Sequence, residues 1–560
     1  GPYDGKLANS GGTLRFCNEV NGILQEVEYE NRAPWPVAAF GTGHSLVLSH
    51  PSYGENDARA WSASDRVGGS PGTTESVGAE PLRGVVINEY LAHTDLPQVD
   101  YIELFNTTGQ SIDLSGAWLS DEAGTNKYQI PESTTIHARS FAAFDQNELG
   151  FALSADGEQI YLMNADQTRV IDAVSFSGQA NGISEGRYPD GAPDFQPLST
   201  TTKGTANTTP RPSTVVINEI MYHPISESDD DEYIELYNRS AVPIDVSDWR
   251  LQGGISYQFP DGTQIPANGY IVVAKNVTNL VANYPQLNAA NTYGNYDGTL
   301  GNGGDTVQLS MPEDLVATNL VGLVTTNYFY ITVDEVTYLD GGRWGEWSDG
   351  GGSSLELVDA DADNRLSANW ADSDESEKAP WTTIDVTAPL VNGGMVAADY
   401  IELYLQGPGE VLLDEVGFLH SVQNELFSYG DFSTGSEGWT FEGVVRHSFV
   451  ETGVGVDNSP ALHLVSVDRG DIGCNNASAV LDDAAETGSS KTGRLMAKVR
   501  WLKGSRYFLM RLRGNWIEAS VPLEVPTDCG TPGQANSRRV YNAGPAIYDV
   551  SHAPILPAAG

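Results

Sequence analysis

Three carboxylates alternate along Asp359-Ala360-Asp361-Ala362-Asp363-Asn364. Calcium takes six or more oxygens, and alternate aspartates in a tight loop supply three of them. An EF-type loop carries Gly at its sixth position and Glu at its twelfth, whereas this stretch has Asn364 and Trp370 there. Asp359, Asp361 and Asp363 therefore read either as a cation site or as a solvated acidic loop. The run Asp229-Asp230-Asp231-Glu232 precedes a strand-like stretch and has the same two readings. Glu89 and Glu219 each follow Ile-Asn in a phrase written twice. Acid–base catalysis needs two carboxylates facing across a cleft. Repetition points instead to a structural task, either pairing with an arginine or capping backbone amides. GISEG (182–186) and GGSPG (68–72) satisfy G-x-S-x-G, but neither lies between a strand and a helix as a nucleophile elbow requires. The nine histidines are scattered without HExxH spacing, which argues against a zinc enzyme.

The elements that hold these residues are short strands. Gly 60 and Pro 29 punctuate apolar runs throughout the 560 residues, the pattern of an all-β chain rich in turns. The best helical stretch is Val277–Tyr284. This length holds about three to five domains. Thirty basic residues face 75 acidic ones, a formal net charge of −45. Such a surface repels phosphate backbones, excludes nucleic acid as a natural partner and attracts divalent cations. There is no apolar run long enough to span a membrane and no signal peptide, and the chain starts without Met. It reads as a processed chain or a fragment of a longer one. Cys17 follows the strand-like TLRF and reads as a buried thiol, while Cys474 and Cys529 fall in one domain and are a possible disulfide.

Internal repetition fixes the domain plan. Residues 85–106, VVINEYLAHTDLPQVDYIELFN, return as 215–238, VVINEIMYHPISESDDDEYIELYN. Strand alternation would put Val85, Ile87 and Glu89 on one face, and Ile102 with Leu104 on one face of the next strand. SIDLSGAWL then matches PIDVSDWRL, and YQIPESTTIHARSFAAF matches YQFPDGTQIPANGYIVV as a hairpin with a Pro-centred turn. ALSADGEQIYLM (152–163) matches TLGNGGDTVQLS (299–310), and both match KLANSGGTLRFC (6–17). The stretch from Gly43 aligns without gaps to that from Gly352. Residues 1–78 are thus the back half of the same unit, with open strand edges that an upstream segment or a neighbouring molecule would cover.

The INE…YIEL(Y/F)N opening, the D(L/V)S…W turn and the L…GG(D/T) strand together resemble the lamin tail domain. That resemblance implies tandem immunoglobulin-like β-sandwiches over residues 79–209 and 210–383. The combination is also similar to large secreted proteins of Planctomycetes and Verrucomicrobia, which carry lamin tail domains beside a spore-coat CotH-like kinase domain. No phosphate loop or HRD-like loop of a kinase is present here.

After Trp381 the phrase changes. LLDEV, and GDF followed by GW, resemble jelly-roll carbohydrate-binding modules of the galactose-binding type, although LLDEV precedes GDF here rather than closing the domain. GTPGQANS (530–537) then resembles GSPGTTES (69–76). Residues 384–526 therefore read as a jelly roll inserted in the second complete repeat, which 527–540 close, with 541–560 a linker into a further domain. The DYIELY string at 399–404 is taken as coincidence. The jelly-roll resemblance implies structural Ca2+ at Asp414, Glu415 and Asp431. It also implies polysaccharide stacking on exposed rings among Trp439, Trp501, Tyr507 and Trp516, although core packing is the commoner fate of such rings. Taken together, the sequence reads as a non-catalytic, extracellular, structural or adhesive segment, calcium-stiffened and self-associating. The rival reading is a carbohydrate-binding accessory region.

Overall fold

The computed structural model describes residues 5–50, 52–55, 57–75, 78–318, 324–391, 397–421, 424–470, 475–513 and 516–537. They group into two compact units, one drawn from residues 1–213 and 310–332, the other from 214–309 and 333–560. Both are built almost entirely of antiparallel β-sheet, as the turn-rich sequence predicts.

In the first unit, Phe141–Asp145, Tyr101–Asn106, Val85–Leu91, Glu185–Arg187 and Phe195–Pro197 form one sheet in that order. Val170–Ser177, Gly157–Met163, Trp118–Ser120 and Tyr128–Gln129 form the facing sheet. Apolar residues at alternate positions of both sheets meet in a core that includes Ile87, Tyr90, Ile102, Leu104, Leu119 and Ile160. Each such buried side chain contributes about 1.5–3 kcal/mol. The expected hairpin over YQIPESTTIHARSFAAF does not form. Tyr128–Gln129 pairs with Trp118–Ser120, Thr135–Ile136 with Ile112–Asp113, and Phe141–Asp145 with Tyr101–Asn106. The segment crosses between sheets because its apolar residues serve two layers.

A second correction concerns the Asn-Glu strand. Its register slips between Ile87 and Glu89, so Ile87 opposes Leu104 while Glu89 opposes Glu103. The bulge at Asn88 absorbs one residue. Ile87 faces the core, and Glu89 turns to the opposite face beside Glu103. Tyr90 then returns to the core. The second repeat slips at the same place, between Ile217 and Glu219.

The described residues between 11 and 63 form two two-stranded pieces, Gly11–Cys17 with Ile23–Glu30 and Leu46–Leu48 with Trp61–Ala63. The gapless match to the second repeat holds in detail. The Trp61 indole donates to the Glu55 carbonyl at 2.8 Å, as the Trp370 indole donates to Asn364 at 2.6 Å. The Ser45 amide donates to the Ser64 hydroxyl as the Ser354 amide does to Ser373. Cys17 is exposed rather than buried.

In the second unit, Thr292–Gly294, Tyr270–Ala274, Tyr233–Asn238, Val215–Met221, Leu355–Leu357 and Trp370–Asp372 form one sheet. Asp297–Gly298, Ile255–Gln258, Arg250–Gly253, Gly304–Thr318 and Val324–Leu339 form the other sheet, residues 310–332 of the last two strands being grouped with the first unit. The predicted helix is Val277–Asn283, capped by the Asn276 side chain. An inserted sandwich follows. Its first strand is Trp381–Pro389, which pairs with Thr492–Gly504. The DYIELY string lies in strand Ala398–Leu405 of this insertion. Residues 538–540 and the linker 541–560 lie outside the described residues.

Candidate functional site

Directly opposed glutamates repel each other across a strand pair, and burial without partners adds a further cost. In the first repeat, Glu89 and Glu103 are both fully buried. Donors from a distant segment resolve the conflict. One Glu89 oxygen accepts from Tyr101 Oη at 2.6 Å, Ser184 Oγ at 2.6 Å and the Thr202 amide at 2.9 Å. Its other oxygen accepts from Thr202 Oγ1 at 2.8 Å. Glu103 accepts from the Gly204 amide. Asn207 Nδ2 donates to the Asn88 and Arg187 carbonyls at 3.1 and 2.9 Å. The closing segment Thr202–Asn207 is thereby fastened across the bulge.

The second repeat builds the same lock. Glu219 accepts from Tyr233 Oη, Ser354 Oγ and the Thr531 amide at 2.5, 2.5 and 2.8 Å. Glu235 accepts from the Gly533 amide and from Asn218 Nδ2. Asn536 Nδ2 reaches the Leu357 carbonyl at 2.7 Å. Here the closing segment follows the insertion, and Thr531 is 312 residues from the Glu219 it binds. Two more buried carboxylates join. Glu356 accepts from Thr531 Oγ1 and Ser537 Oγ. Glu375 accepts from the Gly530 amide at 2.9 Å and pairs with Lys378 at 2.8 Å.

The electrostatics follow from burial. Desolvation pushes Glu103 up to about 8, opposed by the Gly204 amide and reinforced by the charge of Glu89. Burial and then the charge of Glu219 push Glu235 and Glu356 well above the ordinary carboxylate range. Burial raises Glu219 as well, opposed by its Ser354, Tyr233 and Thr531 donors. Apart from Glu103 Oε1, which is buried without a hydrogen-bond partner, the paired glutamates spend their oxygens on protein donors, so the arrangement fastens a chain segment. Ser184, the serine of GISEG, is one of the fasteners rather than a nucleophile.

The Lamin Tail Domain family model matches residues 79–178 and 208–325. This chain carries two lamin tail domains in tandem. Glu89, Glu103, Glu219 and Glu235 lie inside the matched stretches, whereas Ser184, Thr202, Ser354 and Thr531, which complete the locks, lie beyond them. No curated protein matches the chain. The lamin tail domain is a non-catalytic immunoglobulin-like fold.

The other predicted residues are not drawn together. Asp359 accepts from the Asp361 amide at 2.9 Å, Asp361 lies 3.6 Å from Arg239, and Asp363 forms a two-pronged pair with Arg365. Asp414 is buried and accepts from the Val456 amide at 2.8 Å and from Ser459 Oγ. The Glu415 amide donates to Asp414 at 2.7 Å. Asp431 is exposed and caps Ser433. Among the described residues, no cluster of three or more His, Cys, Asp or Glu side chains has metal-site geometry.

The sugar-stacking expectation is corrected for three of its four rings. Trp439, Trp501 and Trp516 are buried, and only Tyr507, 59% exposed, offers a free face. The indoles of Trp439 and Trp501 donate to the Tyr429 and Gly504 carbonyls, which holds them in place. Cys529 is a buried thiol that donates to the Pro526 carbonyl and pairs with no cysteine among the described residues. Cys474 lies outside the described residues. Beside Cys529, a cleft of about 190 Å³ is lined by Met221, Ile225, Asp231, Tyr284 and Arg506.

Sequence reasoning raised amide capping by Glu89 and Glu219 but missed Glu103, Glu235 and the closing segments. The recurrence of Thr-x-Gly-x-Ala-Asn at 202–207 and 531–536 was the available signal.

Proposed function

We propose that the chain is a non-catalytic structural and adhesive segment of a larger secreted surface or matrix protein. The observation that carries this reading is the lock itself. In both lamin tail domains the opposed glutamates are consumed in closing the sandwich. A net charge of −45 supports an extracellular setting, where it maintains solubility and draws divalent cations to the surface. Among the described residues, no helix is long and apolar enough to cross a membrane. The exposed Asp359 and Asp361 and the half-buried Asp363 are the places where calcium would stiffen a loop.

Negative-stain microscopy over a concentration series, with calcium or with a chelator, tests the proposal. Ordered fibres or sheets that loosen on chelation are the expected result. Dispersed particles retained on an immobilised polysaccharide would replace this reading with a carbohydrate-binding one.

A further inference from the structure

Residues 11–75 contain the back half of a lamin tail domain, folded and ready to receive a front half. In the complete repeats, the positions of Leu14 and Phe16 are held by Ile160 and Leu162, and by Val307 and Leu309. All four are 0% exposed. Leu14 and Phe16 are 47% and 64% exposed. Among the described residues their strand, Gly11–Cys17, pairs only with Ile23–Glu30, whereas its counterpart Gly157–Met163 also pairs with Trp118–Ser120. A two-stranded ribbon with an apolar face is marginal in water on its own.

A second edge is open in the same way. Among the described residues Leu46–Leu48 pairs only with Trp61–Ala63. Its counterparts Glu185–Arg187 and Leu355–Leu357 each pair on their other side with the Asn-Glu strand.

The closing turn supplies an independent third observation. The Thr73 amide donates to the Ser70 carbonyl, as Thr205 does to Thr202 and Gln534 to Thr531. Gly72, Gly204 and Gly533 share left-handed backbone, with φ of 74°, 83° and 79°. The lock-forming turn is therefore already shaped. In the complete repeats its two amides bind the paired glutamates, through Thr202 and Gly204 and through Thr531 and Gly533. The corresponding amides of Ser70 and Gly72 have no acceptor among the described residues.

We propose that this face binds a lamin tail front half: a bulged Asn-Glu strand beside a Tyr-Ile-Glu strand, offering two carboxylates to Ser70 and Gly72. The front halves at 85–106 and 215–238 are each closed by their own back halves, so the occupant is a segment other than these two. It adds a strand to each open edge, buries Leu14 and Phe16, and seats its glutamates on the waiting amides. The inference rests on the lamin tail fold and goes beyond the proposed structural role, and its test is read on dilute, unassembled protein.

The test fuses a second copy of residues 79–150 ahead of Gly5 through a flexible linker, giving the millimolar effective concentration of an intramolecular partner. Hydrogen exchange at the Ser70 and Gly72 amides is expected to slow at least tenfold. Alkylation of a Phe16→Cys variant is expected to slow likewise. Replacing both glutamates of the fused copy by alanine should restore fast exchange at the two amides. Unchanged exchange in the fusion overturns the proposal. So does an unfused chain that sediments as a dimer and is dissociated by Phe16→Asp, because a second copy would then own the face.

Discussion

Replacing Glu103 by glutamine isolates the cost of burying opposed carboxylates. Burial holds this carboxyl up at about 8, against about 4.5 in an unfolded chain. A group raised on folding contributes stability that is complete below the unfolded value and is lost as pH rises through the folded one. The slope is about 1.4 kcal/mol per pH unit for one proton. Over the window from about 4.5 to 8 the loss reaches about 4 kcal/mol as an upper bound. Glutamine keeps an oxygen for the Gly204 amide and never ionises. Glu103→Gln is therefore expected to match the parent near pH 4.5 and to exceed it by about 2–4 kcal/mol at pH 8. Denaturant melts followed by hydrogen exchange of the 85–106 strands, at half-unit pH steps, read this directly. A variant less stable than the parent at pH 8, or a parent whose first repeat gains stability from pH 5 to 8, would refute the reasoning.

Other consequences follow from the same contacts. Removing residues 527–537 should expose the Val215–Met221 strand to exchange, although Thr531, the donor lost from Glu219, is 312 residues away in sequence. Alanine at Gly533 should cost more than alanine at Gly204. Both glycines are left-handed, but a Cβ at Gly533 would meet Leu287 at 2.8 Å while one at Gly204 meets nothing, so urea melts should show about 1 kcal/mol for Gly204→Ala and more for Gly533→Ala. At the acid end, burial raises Asp65, but the Gly78 amide and the guanidiniums of Arg83 and Arg169 outweigh it and hold the group at about 2. Its stabilisation is present above about pH 3.8 and lost as pH falls towards 2. Arg169→Met should shrink that acid transition in a pH titration followed by tryptophan fluorescence.

The repeat was legible because strand alternation and turn residues are local signals. The helix at Val277–Asn283 was legible as a local run too, while its Asn276 cap came only from the structure. The bulge at Asn88 was not, because a slip of register is set by the partner strand, and only pairing with Glu103 makes it visible. The locks were half legible. Glu89 and Glu219 stood out by repetition, while their acceptor role depends on Thr202 and Thr531, which the fold brings from far along the chain. Whether the indoles of Trp439 and Trp501 pack in the core or face outward was left open by the sequence, because a sandwich strand places rings inward or outward by parity, and parity depends on the register of neighbours.

The most direct measurement is residue-resolved hydrogen exchange at Thr202, Gly204, Thr531 and Gly533 in the intact chain. These amides lie outside regular strands, yet they donate to buried carboxylates. Protection as deep as that of the Tyr101–Asn106 and Tyr233–Asn238 strands is predicted. Exchange as fast as that of exposed turns would contradict the carboxylate lock.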